Sequence, residues 1–196
     1  MENKVTLKNP QHTKNKCEHY TPIEIIYATR ELFGGQIDLD VASDAIANRV
    51  VKASRYYTQQ DNALTKQWKA ENIFCNPPGS TKDYHGSLST DFWDKLYYEY
   101  GMNTFGEALF VGYSIEILCK RGYQIMGLPF CVPQPGTSVT SGMGRIMFDA
   151  VIDGKRQQQR SPTHGNVIVY LPDADNDKRK NFYRLFSQFG KVMNCD

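Results

Sequence analysis

The apolar run Ile73-Phe74-Cys75 leads directly into Asn76-Pro77-Pro78-Gly79, a segment that leaves the backbone few choices. Each proline lacks an N–H and holds its φ within a narrow range, and a residue before a proline is turned away from helical geometry. A strand entering this turn must stop there. The asparagine amide and the carbonyl that follows it are then left pointing outward. Such a rigid turn presents hydrogen-bond acceptors to an amino group placed at the strand's end.

The rest of the pattern alternates helices and strands. Thr21-Pro22 reads as a helix start, with a threonine cap and proline at the first helical position. Apolar residues continue at helical spacing to Phe33, and Gly34-Gly35 ends the helix. Gln36 to Leu39 reads as a strand, Ala42 to Val51 as a helix, Ala63 to Lys69 as irregular and Asn72 to Cys75 as a strand. Polar Gly79 to Thr90 reads as a loop. A helix over Asp91 to Tyr100, a strand over Ala108 to Val111, a helix over Ser114 to Lys120 and a strand over Gln124 to Leu128 follow. Pro129 to Gly144, with Pro133 and Pro135, reads as a second long loop. Arg145 to Val151 and Asn166 to Leu171 read as antiparallel strands around a basic loop, and Lys178 to Phe189 as a closing helix. This alternation predicts an α/β sheet, in which ligands sit beyond the carboxyl ends of the strands. Asp38-Leu39-Asp40 and Asn76-Pro77-Pro78 both fall at such ends, so the two can face one cleft.

Length and composition predict one domain over 19–196, preceded by a basic arm over 1–18 that carries Lys4, Lys8, Lys14 and Lys16. A hydrophobic content of 40% with 22% charged residues suits a globular protein. No apolar run reaches membrane-spanning length, and the polar N-terminus lacks a signal-peptide core. Five scattered cysteines, none in a Cys-x-x-Cys pair, argue against a disulfide framework or zinc ribbon and for a reducing cytoplasm. Histidines are not clustered with other ligand types, and no metal is expected. Net charge is only +2, so basic character is local: the arm, and the Lys155, Arg156 and Arg160 loop, are the segments able to follow a phosphate backbone.

Small residues follow the first acidic strand end in Asp40-Val41-Ala42-Ser43, permitting close approach of a ligand with an amino-acid moiety and a ribose. No Gly-x-Gly is present, which counts against a pyrophosphate-bound nucleotide. Asp61-Asn62-Ala63-Leu64 adds a carboxylate able to accept from an adenine amino group, with Leu64 available to pack on its ring.

In order along the chain, Tyr20-Thr21-Pro22, Asp38-Leu39-Asp40-Val41-Ala42-Ser43, Asn48, Val51-Lys52-Ala53, Arg55-Tyr56-Tyr57-Thr58, Asp61, Leu64, Trp68 and Asn76-Pro77-Pro78 resemble the phage-type DNA N6-adenine methyltransferase (Dam) family. Trp93-x-Lys95, Gly144-Arg145-Ile146-x-Phe148 and Ser161-Pro162-x-His164-Gly165-Asn166-Val167 resemble its later signatures. The resemblance implies a Rossmann-like methyltransferase sheet with helices on both faces, S-adenosyl-L-methionine as cofactor, DNA as partner and a place in the bacterial host cytoplasm, with restriction-modification, protection of phage DNA from restriction and regulation all open as its role. It implies that Thr21 and Pro22 border the methionine end of the cofactor, that Asp40, Ala42 and Ser43 lie against its amino-acid and ribose parts, and that Asp61 meets its adenine. Asn76 and Pro77, with Pro78 fixing the turn, are then the catalytic acceptors. They draw the adenine N6 toward a tetrahedral geometry for direct attack on the sulfonium methyl, after the base has left the stack.

Position 79 departs from the pattern. Amino-methyltransferases carry an aromatic residue after Pro-Pro that stacks on the extruded base, and here it is Gly79. Tyr84 in the adjoining loop is the expected replacement, with Tyr56 and Tyr57 as alternatives, and Lys155 and Arg156 are expected to meet DNA. Methylation of cytosine N4 needs the same acceptors and stays open, as does a silent module that binds DNA or cofactor without transfer.

Overall fold

Short apolar runs without polar interruption belong to strands covered on both faces, and three of them, around Ile73, Phe110 and Val169, form the middle of this protein's sheet. The computed structural model describes residues 19–79, 81–82, 86–152, 155–158 and 164–195. The elements are, in order, α1 (Ile23–Leu32), β1 (Leu39–Asp40), α2 (Ala45–Val51), β2 (Arg55–Tyr56), a 3-10 turn at Ala63–Thr65, β3 (Ala70–Cys75), β4 (Thr81–Lys82), β5 (Gly86–Ser87) and α3 (Leu88–Gly101). They continue with β6 (Phe105–Gly112), α4 (Ile117–Ile125), β7 (Phe130–Pro133), β8 (Asp149–Ile152), β9 (Lys155–Gln158), β10 (Val167–Leu171), α5 (Arg179–Phe186) and β11 (Gly190–Met193). Among the described residues seven strands form one sheet in the order β11-β7-β10-β6-β3-β1-β2. β2, β1, β3 and β6 are parallel, whereas β10 runs antiparallel to β6 and β7, and β11 antiparallel to β7. This is the α/β sheet that the alternation predicts, mixed, with a parallel half and an antiparallel half.

Successive side chains of a strand point to opposite faces, and the core divides accordingly. Phe74, Leu109, Val111, Ile168 and Tyr170 meet α1 and α5 on one face. Ile73, Cys75, Ala108, Phe110, Val167, Val169 and Leu171 meet α3 and α4 on the other. Trp68 and Trp93 are fully buried in this second layer. The Trp68 indole N–H donates to the Ala63 carbonyl at 2.9 Å and that of Trp93 to Gln124 Oε1 at 2.6 Å, so neither polar handle is stranded.

Several boundaries differ from the sequence reading. The strand expected at Gln36 to Leu39 is displaced to Leu39–Asp40, because the Asn72 side chain takes over the preceding backbone. It accepts from Asp38 N–H at 2.8 Å and donates to the Gln36 carbonyl at 3.2 Å. Gln124 and Ile125 belong to α4 rather than to a strand; the helix kinks at Arg121, and Ile117 and Ile125 are buried at its two ends. The strand follows as β7, inside the expected second loop, with Pro133 as its last residue. Asn166 to Leu171 does not pair with Arg145 to Val151. β10 lies between β6 and β7, and β8 instead forms a hairpin with β9, which is part of the basic loop. β2 and β11 are both absent from the sequence reading.

Two helix starts differ as well. At α1 the Thr21 hydroxyl caps nothing; Pro22 is the cap residue, and its carbonyl accepts from Ile25 and Ile26. α2 begins at Ala45 because Asp44 Oδ1 accepts from the N–H groups of Ile46 and Ala47 at 2.6 and 2.8 Å. Removing this cap by Asp44→Ala is expected to cost about 1 kcal/mol. A thermal melt should show it as a midpoint about 2–4 °C lower.

Candidate active site

The parallel strands β1, β2, β3 and β6 send their carboxyl ends to one edge of the sheet, where a cleft of about 670 Å³ opens. Its volume lies in the usual range of small-molecule sites. Asp40 to Asp44 after β1, Tyr57 to Gln59 after β2, Asn76 to Gly79 after β3 and Tyr113 after β6 all line it.

Asn76 is oriented by a contact from outside its own strand. Its Nδ2 donates to the His19 carbonyl at 3.0 Å. A carbonyl can only accept, so the amide cannot be reversed, and Oδ1 is turned the other way. Among the described residues neither Asn76 Oδ1 nor the Pro77 carbonyl receives a hydrogen bond. The turn thus offers acceptors on the cleft wall, held by two prolines on one side and by His19 on the other.

Asp40 sits in the sheet between β2 and β3 and is 1% exposed. The Ala42 N–H donates to Asp40 Oδ1 at 3.2 Å. Burial nonetheless pushes the carboxyl up to about 6, and the neighbouring Asp44 carboxylate pushes the same way. The Ser43 hydroxyl is buried beside the Asp40 carboxyl and favours its charged form, whereas the Thr21 hydroxyl is buried with no hydrogen-bond partner among the described residues. Unpaired buried hydroxyls are costly in a protein interior. Here the unpaired Thr21 hydroxyl and the buried Asp40 with Ser43 beside it all line the cleft, a donor and acceptor set suited to a ligand bearing an ammonium group and sugar hydroxyls.

The structure brings Thr21, Asp40, Ala42, Ser43, Leu64, Asn76, Pro77, Pro78, Gly79 and Arg156 to the cleft. Pro22 stands behind it as the cap of α1. Asp61 is exposed and turned into its own turn, accepting from the Thr58 hydroxyl at 2.7 Å and the Thr58 N–H at 2.8 Å, and these bonds hold its carboxyl below the usual range. Asn62, Ala63 and Leu64 reach the cleft wall from this segment and Asp61 does not. Lys155 begins β9. Tyr84, the basic arm and Arg160 lie outside the described residues.

Arg156 has a different surrounding from the free basic loop expected. Its Nε donates to Asp149 Oδ2 at 2.6 Å, its Nη2 donates to the Thr21 carbonyl at 2.6 Å, and its guanidinium lies 5.4 Å from the Tyr20 ring centre. The backbone of Tyr20 also pairs with Asp149 in both directions at 2.8 Å. Arg156 therefore clamps the segment before α1, which carries Thr21 and the His19 carbonyl, onto the β8–β9 hairpin.

Sequence reasoning missed His19 and Tyr113. A main-chain carbonyl leaves no signal in sequence. Tyr113 did leave one, since it directly follows the apolar run of β6 at a carboxyl strand end. Cys75, beside Asn76, is fully buried. Burial, and after it the nearby Asp40, push its thiol well above the ordinary range, so it does not supply a thiolate nucleophile. Among the described residues no group of three His, Cys, Asp or Glu side chains stands together as a metal site, and no helix is long and apolar enough to cross a membrane.

No curated protein sequence matches the chain significantly. One solved structure similar to it is a modification subunit assigned to a type I restriction enzyme from Vibrio vulnificus, with 11% identity and a TM-score of 0.42. The match covers 84% of this chain and 46% of that one, so this chain spans about half the length of that protein. Residues 9–93 match the family described as DNA N-6-adenine-methyltransferase (Dam), which bears out the resemblance carried by the motifs and relates the chain, over the stretch that holds β1, β3 and the Asn76 turn, to DNA methyltransferases.

Proposed function

We propose that the protein transfers a methyl group from S-adenosylmethionine to the exocyclic N6 of adenine in DNA. The observation that carries this reading is the locked Asn76 amide, whose Oδ1 and the neighbouring Pro77 carbonyl stand without donors at the end of β3. A primary aromatic amine supplies two N–H donors in the arrangement those acceptors need. Its lone pair is delocalised into the ring, and accepting a hydrogen bond from each N–H favours the pyramidal nitrogen of the transition state; as the N–CH3 bond forms and the S–CH3 bond breaks, the methylated nitrogen gives up one proton to solvent. Prolines and the His19 contact supply the preorganisation, so little rearrangement is needed at the moment of reaction.

The cofactor supplies an electrophilic methyl group when bound. Asp40, with Ser43 beside it, and the unpaired Thr21 hydroxyl fit its ammonium and hydroxyl groups, and Ala42 leaves room for close approach. Leu64 provides an apolar surface for its adenine ring. Asp61 serves this adenine only if its carboxylate exchanges the Thr58 partners for the ligand.

Purified protein incubated with tritiated S-adenosylmethionine and DNA free of N6-methyladenine provides the test. Label recovered in N6-methyladenosine after digestion is the expected result. Label in N4-methylcytidine instead would move the substrate to cytosine, and no transfer would leave only a binding role.

A further inference from the structure

Gly79 and Tyr113 occupy each other's space. A Cβ built on Gly79 would lie 2.5 Å from Tyr113 Cδ1, 2.6 Å from Cγ and 2.7 Å from Cε1. Real Cβ atoms do not come so close to a ring, so a side chain at position 79 would have to grow into the volume that the Tyr113 ring now fills. The missing aromatic at 79 and the aromatic present at 113 are thus one packing choice.

The main chain at Tyr113 is firmly held, and its ring has two aromatic neighbours. Asn166 Nδ2 donates to the Tyr113 carbonyl at 2.8 Å and to the Gly112 carbonyl at 3.3 Å, while Asn166 Oδ1 accepts from Ile146 N–H at 2.9 Å. The Ile115 N–H donates to the Gly165 carbonyl at 2.7 Å. The ring centres of His164 and His19 lie 4.9 and 5.4 Å from that of Tyr113. Tyr113 is half-buried and lines the cleft.

Sheet order determines what this ring can face. In the order β6-β3-β1, the Asn76 turn at the end of β3 is flanked by Asp40 of β1 on one side and by Tyr113, just after β6, on the other. A planar base offering its amino group to Asn76 and Pro77 from the side opposite Asp40 has Tyr113 beside it.

Resting on the adenine-methylation reading above, we propose that Tyr113 is the stacking platform for the extruded base, supplied from just after β6 because Gly79 has vacated the position after Pro-Pro. Stacking on an aromatic side chain contributes about tenfold to hundredfold per base in single-strand binding. Tyr113→Ala is expected to lower kcat/KM for DNA by that order and to leave S-adenosylmethionine affinity, measured by calorimetry, as in the wild type. Tyr113→Phe keeps the ring and is expected to methylate nearly as the wild type does. Gly79→Tyr alone should lose activity by collision with Tyr113. The Gly79→Tyr, Tyr113→Ala double variant, with the ring supplied from the other strand end, should recover much of it.

Thermal melts of each full-chain variant show whether it folds, and the double variant distinguishes a platform from mere packing. A Tyr113→Ala protein that methylates as fast as the wild type overturns the proposal. So does a folded double variant no better than either single one. A wild-type protein that makes no N6-methyladenine removes the reading beneath the proposal and the proposal with it, whereas an active wild type with an indifferent Tyr113 removes the proposal alone.

Discussion

An Asn76→Ala protein is expected to bind S-adenosylmethionine as the wild type does and to lose methyl transfer by about 10²–10³-fold or more, the scale on which single preorganised transition-state contacts act. The substitution removes two things together: the acceptor Oδ1 and the Nδ2 donor that ties the turn to the His19 carbonyl. Neither atom hydrogen-bonds to Asp40 or Ser43, the groups proposed to hold the cofactor. Single-turnover transfer measured beside calorimetric cofactor binding separates these effects. Equal losses in binding and turnover would mean that Asn76 holds the cofactor rather than the target amine.

Asp40→Asn is expected to act on the opposite parameter. Losing a charge-assisted hydrogen bond to an ammonium group weakens binding by about tenfold to hundredfold, so the cofactor Kd rises while saturated turnover changes little. The pH dependence makes the test sharper. In the folded protein this carboxyl titrates at about 6, against 3.8 for the free group. A raised acid pKa means that the folded state holds the proton more tightly, so the stability contributed by this group is full below 3.8 and is lost as pH rises through about 6. Binding of a cationic ligand runs the other way, because it favours the ionised carboxylate. Affinity is therefore expected to be full above about pH 6 and to fall about tenfold per pH unit below it. Asp40→Asn should flatten that profile. A wild-type Kd unchanged between about pH 5 and about pH 8 would show that Asp40 does not face the ligand's charge.

What was legible in the sequence is what local covalent structure dictates. Asn76-Pro77-Pro78 forces its turn wherever the chain goes, and the apolar runs ending at Cys75 and Val111 can only be strands with both faces covered. Asp40 was legible as an acidic strand end, though its burial depends on β2, a two-residue strand with no apolar pattern of its own. Asp61 illustrates the opposite case, since a carboxylate three residues after a threonine can close its own turn, and that local bond competes with any ligand. β7 was hidden by Pro129 and Pro133, which read as loop punctuation but in fact bracket a strand. The clamp by Arg156, the contact of His19 and the exclusion between Gly79 and Tyr113 each join segments far apart in the chain. None of these has a local signature, because each depends on how the sheet is ordered.

On the proposed reading the two flanks of the Asn76 turn divide the labour: Asp40 and the unpaired Thr21 hydroxyl for the donor, Tyr113 for the acceptor base, and Asn76 with Pro77 between them for the amino group. Nucleoside mass spectrometry of DNA from cells that lack adenine methylation and express either the wild type or Asn76→Ala tests this account most directly. The account predicts N6-methyladenine with the wild type and none with the variant. Its absence from wild-type DNA, or equal amounts in both, would contradict it.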